Sequence, residues 1–189
     1  IMNFLALPII VIINAFLVGF FTKLGDIAND DGFKLSPSLN IFMGLLWGVF
    51  GSLVVIGNSD VAAFYLGILL SWIHRYKLDN YSHGIGGSII LIAIFYVHPA
   101  SNLQVVITVV TLVLFTCFGL LSRHRIFYKN IFSYYSLYSF IFLAILAFYY
   151  PNVWIVVFAS LANVIGYHGV KRWWKRRLSQ QSKLNNNNA

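Results

Sequence analysis

Residues 153–177 read VWIVVFASLANVIGYHGVKRWWKRR, an apolar run from Val153 to Val170 that stops at Lys171-Arg172-Trp173-Trp174-Lys175-Arg176-Arg177. Such a run approaches the roughly 20 residues a helix needs to cross a hydrocarbon layer about 30 Å thick. Trp rings suit the headgroup layer, and Lys and Arg accumulate on the cytoplasmic side of a crossing helix. The stretch therefore predicts a membrane helix with a cytoplasmic C-terminal end, and anionic lipid as the partner of its five cations.

Working outward from this stretch, the same pattern recurs. Apolar runs occupy residues 4–22, 38–57, 60–76, 82–98, 103–122 and 131–150, broken by Gly57-Asn58-Ser59-Asp60, His98-Pro99-Ala100-Ser101-Asn102 and Tyr150-Pro151-Asn152 among others. Pro, Asn and Ser clusters are turn chemistry. If the runs alternate in direction, the segments 23–37, 75–81, 123–130 and 171–183 fall on one side, and they hold every Lys and Arg of the chain. A wrong helix count would scatter cations over both sides. The reading is an all-α, polytopic integral membrane bundle of seven transmembrane helices in the cell membrane, with the N-terminus outside and the C-terminus cytoplasmic. Residues 1–178 form one transmembrane domain, and 179–189, with the Asn185–Asn188 run, are expected to be a polar, disordered tail.

Composition agrees. Of 189 residues, 59% are hydrophobic and only 10% charged, where a soluble domain carries about a quarter charged residues. The net charge of +8 comes from thirteen Lys and Arg against five Asp. Because those cations sit between or after apolar runs, they read as topological signals and make nucleic acid an unlikely partner. The single Cys117 excludes an intrachain disulfide. The first apolar run lacks a basic leader and a small-residue cleavage site, which predicts a retained helix.

Polar chemistry collects on the basic side. In Lys23-Leu24-Gly25-Asp26-Ile27-Ala28-Asn29-Asp30-Asp31-Gly32-Phe33-Lys34, helical spacing puts Asp26 and Asp30 on one face beside Asp31. Three close carboxylates repel one another unless cations intervene, and Mg²⁺ is the usual ion where phosphates are handled. Asp26, Asp30 and Asp31 are therefore the candidate metal ligands. Lys23 or Lys34 would neutralise them equally well, and a solvated polar loop is the plainer alternative. The second stretch runs from His74 to Gly87. Its flanking apolar runs are short for a bilayer, so either the bilayer thins around them or its polar residues lie at membrane depth, facing a cavity. Asp79 and His83 form the best acid–base pair in sequence, four positions apart. Lys34, Arg75, Lys77, Arg123 and Arg125 are the candidate phosphate ligands. Gly84, Gly86 and Gly87 predict close helix packing. Asn14, Thr108, Thr111, Thr116 and Asn163, deep in apolar runs, predict interhelical hydrogen bonds, and Ser59 or Asp60 a helix cap.

The Asp-rich segment resembles, in a few residues, those of membrane prenyltransferases and polyprenyl-phosphate sugar-phosphate transferases, and its Asp-Gly resembles that of CDP-alcohol phosphotransferases. The further acidic motifs of those families are absent, so membership in none of them follows. The favoured expectation is a membrane transferase with a cytoplasm-facing site, acting on a phosphorylated or lipid-linked substrate of lipid metabolism with Mg²⁺. The alternatives are a non-enzymatic accessory subunit held by other membrane subunits, and a small-solute transporter or channel. The last is disfavoured because no ionisable group lies near the middle of any apolar run.

Overall fold

The computed structural model describes residues 2–30, 36–78, 81–121 and 135–187. They form an all-helical bundle without strands among the described residues. A single-turn helix α1 (Met2–Leu5) precedes seven longer ones: α2 (Pro8–Asp30), α3 (Pro37–Gly57), α4 (Ser59–His74), α5 (Tyr81–Val97), α6 (Asn102–Leu121), α7 (Tyr135–Tyr149) and α8 (Trp154–Asn187). Among the described residues, three segments are long and apolar enough to cross a membrane, namely Pro8–Ile27, Ser38–Gly57 and Pro151–Gln180. The helices α4 and α5 have 16 and 17 residues, about 24–26 Å of axis at 1.5 Å per residue.

Helix boundaries follow local chemistry. Pro8 opens α2, where its missing N–H costs nothing, and the chain before it folds into the separate turn α1 instead of extending the first apolar run back to residue 4. Pro37 sits in the first turn of α3 behind the cap Ser36, whose hydroxyl accepts from Leu39 N at 3.4 Å. Between α3 and α4 there is room for one residue, Asn58. Its Oδ1 accepts from the backbone of Asp60 and Val61, both at 3.0 Å. The cap is thus Asn58, not Ser59 or Asp60, because α4 already begins at Ser59 and carries Asp60 in its first turn. At the other end of α4, Tyr76 N–H donates to Ile73 O at 3.1 Å and Lys77 N–H to Trp72 O at 2.8 Å. This closing motif puts Tyr76 in the left-handed region at φ 53°, a place usually taken by Gly. The final helix continues through the basic segment to Asn187, including residues whose composition predicts irregular chain. An unbroken run without Pro or Gly after Gly169 lets the helix propagate from its packed part.

Packing is pairwise. The helix α2 lies against α8, α3 against α5 and α4 against α6, while α2 also packs on α3. Each of the first three pairs runs parallel: Gly44 and Gly48 meet Ser82 and Gly86, Asp60 and Gly67 meet Gln104 and Thr111, and Gly19 and Asp26 meet Asn163 and Tyr167. The α2–α3 pair runs antiparallel, since Phe21 stacks on Phe50 while Gly57 meets Val11. Side-chain-free positions on both helices set the α2–α8 approach. A Cβ on Gly19 would strike the Asn163 carbonyl, and one on Gly166 the Phe16 carbonyl, so α2 and α8 touch backbone to backbone. The core holds Trp47, Leu69, Ile90, Ile107 and Leu143. The rim exposes the large side chains of Ile92, Phe95, Tyr96, Phe148 and Tyr149 at 70–78%.

Polar residues inside the bundle pair across helices. Thr108 Oγ1 donates to Ala63 O at 3.0 Å, and Asn163 Nδ2 to Tyr65 Oη at 3.0 Å. Asn14 instead donates within its own helix, to Ile10 O at 2.9 Å.

Candidate functional site

One end of the bundle gathers Lys23 and Asp26 from α2, Arg75 at the end of α4, His83 in the first turn of α5, and Tyr167 with His168 from α8. We call it the basic end. The spacing of glycines explains the convergence. A Cβ on Gly25 would come within 2.7 Å of Ser82 Oγ, and one on Gly44 within 2.8 Å of Ser82 O. Ser82 is therefore pressed between α2 and α3, and its neighbour His83 reaches Gly25's neighbour Asp26.

The Asp26 carboxylate is the centre of the cluster. His83 Nε2 lies 2.9 Å from Oδ1. The Tyr167 hydroxyl donates to Oδ2 at 2.7 Å, and Lys23 Nζ stands 3.8 Å from the same oxygen. The Lys23 ammonium also lies 5.4 Å from the centre of the Tyr167 ring, within cation–π range. Both side chains of the pair are nearly withdrawn from solvent, Asp26 at 14% exposure and His83 at 12%. In surroundings of low dielectric such charge-assisted bonds are short and strong, and an unpaired partner would be costly.

Two indoles wall the imidazole. The ring of Trp72 lies 5.8 Å and that of Trp47 6.3 Å from His83, centre to centre. Trp47 is itself anchored, donating Nε1–H to Ser82 O at 3.1 Å, and its ring fills the space that a Cβ on Gly86 would take. The expected close packing at Gly86 thus has a specific occupant. His83 is held by a carboxylate on one edge and aromatic faces on others. That arrangement orients a ring able to accept and return a proton.

The predicted site residues divide. Asp26 and His83 meet each other, although the sequence paired Asp26 with Asp30 and Asp31, and His83 with Asp79. Arg75, expected to bind phosphate, is buried at 5% exposure. Its Nε donates to Ser71 O at 3.4 Å and its guanidinium packs on Gly119 of α6. Lys77 is exposed in the turn after α4. Asp30 ends α2, with its side chain outside the described part of the structure. Asp31, Lys34, Asp79, Arg123 and Arg125 lie outside the described residues. As for metal, both oxygens of Asp26 already have donors or a cation beside them, and no group of three or more His, Cys, Asp or Glu side chains converges among the described residues.

Tyr167, Trp47 and Trp72 escaped the sequence reading. The available signal was Gly166-Tyr167-His168-Gly169, two hydrogen-bonding rings between glycines within an apolar run, less than two turns before the cations begin. Comparison of the chain with protein-family models, curated proteins and solved structures found no match in any of the three.

Proposed function

We propose that the chain crosses the cell membrane seven times, with its N-terminus outside and C-terminus in the cytoplasm, and works there as an enzyme of the cytoplasmic face. Its reaction is group transfer to or from a phosphorylated or lipid-linked substrate. The observation that carries this reading is the Asp26–His83 pair, 2.9 Å apart and braced by Tyr167. A structural polar contact deep in a bundle needs only a hydrogen-bonded neutral pair, as Asn163 with Tyr65. Here an ionisable ring is oriented by a carboxylate and walled by indoles, at the end of the molecule where the cations gather.

The roles follow from that geometry. His83 handles the proton, and Asp26 and Tyr167 are positioning residues that fix its ring. Lys23, Lys77 and the cations of the adjoining segments, Lys34, Arg123 and Arg125, attract the phosphate. Mg²⁺ is assigned to Asp30 and Asp31 rather than to Asp26, whose oxygens are engaged. The depth of the cluster favours a membrane-embedded substrate. Taking Trp154 and Trp174 as the two interfacial belts, the intervening helix spans about 30 Å, which equals the hydrocarbon thickness. Tyr167 then lies about 10 Å inside the inner boundary. Ionisable groups at such depth face a cavity and mark a functional pathway.

The test is turnover by the purified full chain in lipid vesicles, with phosphorylated and lipid-linked donors carrying a radioactive label. His83→Gln is expected to lower the transfer rate by at least about 100-fold, and Asp26→Asn by a comparable factor, with the folded protein recovered in both. Unchanged rates in the two variants would remove the proposed chemistry. Loss of Mg²⁺ dependence only in Asp30→Asn with Asp31→Asn would support the metal assignment.

A further inference from the structure

Beyond the Asp26 cluster, α8 carries a second feature that the group-transfer reading does not use. In a helix, residues four apart stack along one face. Tyr167, Lys171 and Lys175 therefore form one column, and His168, Arg172 and Arg176 an adjacent one. The four cations are exposed, and α8 contains no acidic residue. Tyr167, which heads one column, donates to Asp26 at 2.7 Å, and its neighbour His168 heads the other, so the two columns begin at the edge of the Asp26 cluster. Arg177 is different, lying 5.8 Å over the Trp173 ring.

Depth fixes what such columns meet. With Trp154 at one boundary and Trp173-Trp174 at the other, Lys171 and Arg172 lie at the lower edge of the hydrocarbon, and Lys175 and Arg176 in the headgroup layer. Long cationic side chains at that level extend toward phosphate. Tryptophan rings beside them sit where glycerol backbones lie. Water alone would solvate the cations but gives no reason for two indoles among them.

We propose that this end of α8 is a binding site for the headgroup phosphate of an anionic phospholipid, formed by Lys171, Arg172, Lys175 and Arg176. It rests on the membrane orientation given above, though not on the chemistry assigned to His83. A phosphate at Lys171 lies one turn, about 6 Å along the axis, from Tyr167. The site would present a lipid headgroup at the mouth of the Asp26 cluster, which makes a lipid phosphate the natural substrate class there.

Native mass spectrometry of the full chain, purified in detergent with equal amounts of phosphatidylglycerol and phosphatidylcholine, tests the assignment. The expected result is retention of phosphatidylglycerol over phosphatidylcholine by at least about tenfold, since each cation near a headgroup layer contributes about a fivefold preference. The preference should collapse in the K171Q/R172Q/K175Q/R176Q variant. Should that variant fail to fold, K171Q/R172Q alone should lower the ratio by at least about fivefold. Equal retention of the two lipids by the unaltered protein would overturn the proposal, as would tighter binding of an RNA oligonucleotide at physiological salt. His83→Gln should leave the lipid preference intact while abolishing turnover, so the two readings fail separately. A preference lost in His83→Gln would move the lipid into the Asp26 cluster and overturn the assignment to α8.

Discussion

The two ends of the bundle each hold an aspartate, and they use it in opposite ways. Asp60 lies in the first turn of α4, where the positive end of the helix dipole already favours a carboxylate. Gln104 of α6 donates Nε2–H to Asp60 Oδ1 at 3.0 Å and to Ser59 Oγ at 2.8 Å. The same Gln closes a reciprocal capping box with Ser101, whose N–H donates to Gln104 Oε1 at 3.0 Å. This end needs no cation. Asp26 lies one turn from the C-terminal end of α2, where the dipole opposes its charge. It is stable there only because α5 brings His83, α8 brings Tyr167 and α2 itself brings Lys23. A carboxylate placed with the dipole is a structural cap. One placed against it, and kept, binds three helices together and orients a titratable ring.

That contrast can be broken experimentally. The largest effect on stability is expected from His83→Leu, which leaves Asp26 buried without its imidazole partner and should cost about 3 kcal/mol, read as a lower midpoint in denaturant titration in mild detergent. Tyr167→Phe removes one hydrogen bond to a charged acceptor and should cost about 2 kcal/mol. Because it frees the carboxylate to swing, it should also depress turnover without changing the affinity for substrate. At the opposite end, Asn58→Ala deletes the cap of α4 and should cost about 1 kcal/mol. Asp60→Asn keeps an acceptor for Gln104 and should shift the same midpoint by less than about 0.5 kcal/mol. A penalty for Asp60→Asn as large as that for His83→Leu would erase the distinction between the ends.

Two elements show how much of the chain was legible before its folding. The apolar runs located the seven longer helices to within a few residues, apart from the C-terminal ends of α2 and α8, which continue well past residues 22 and 170. The interhelical roles expected of Thr108 and Asn163 are present, and so is the close packing expected at Gly86, whereas a Cβ on Gly84 would meet nothing and one on Gly87 only ordinary contacts. The site was legible only as a list of ingredients. Asp26 and His83 both stand out by their spacing, which offers each a neighbour in sequence, whereas each finds its partner on another helix. Arg75 reads as a phosphate ligand facing a cavity, yet Gly119 on α6 opens a slot that takes the guanidinium inside.

Sequence by itself determined that this protein is helical, that three of its described helices are apolar over membrane-like lengths, and that its Lys and Arg residues lie between or after apolar runs. Those properties depend on neighbours along the chain, through residue propensity, hydropathy and turn chemistry. Only the tertiary structure decided that Asp26 meets His83 and Tyr167. Side-chain pairing between helices depends on which faces approach closely, and here that is set by the missing side chains of Gly19, Gly25, Gly44 and Gly166 on surfaces far apart in sequence.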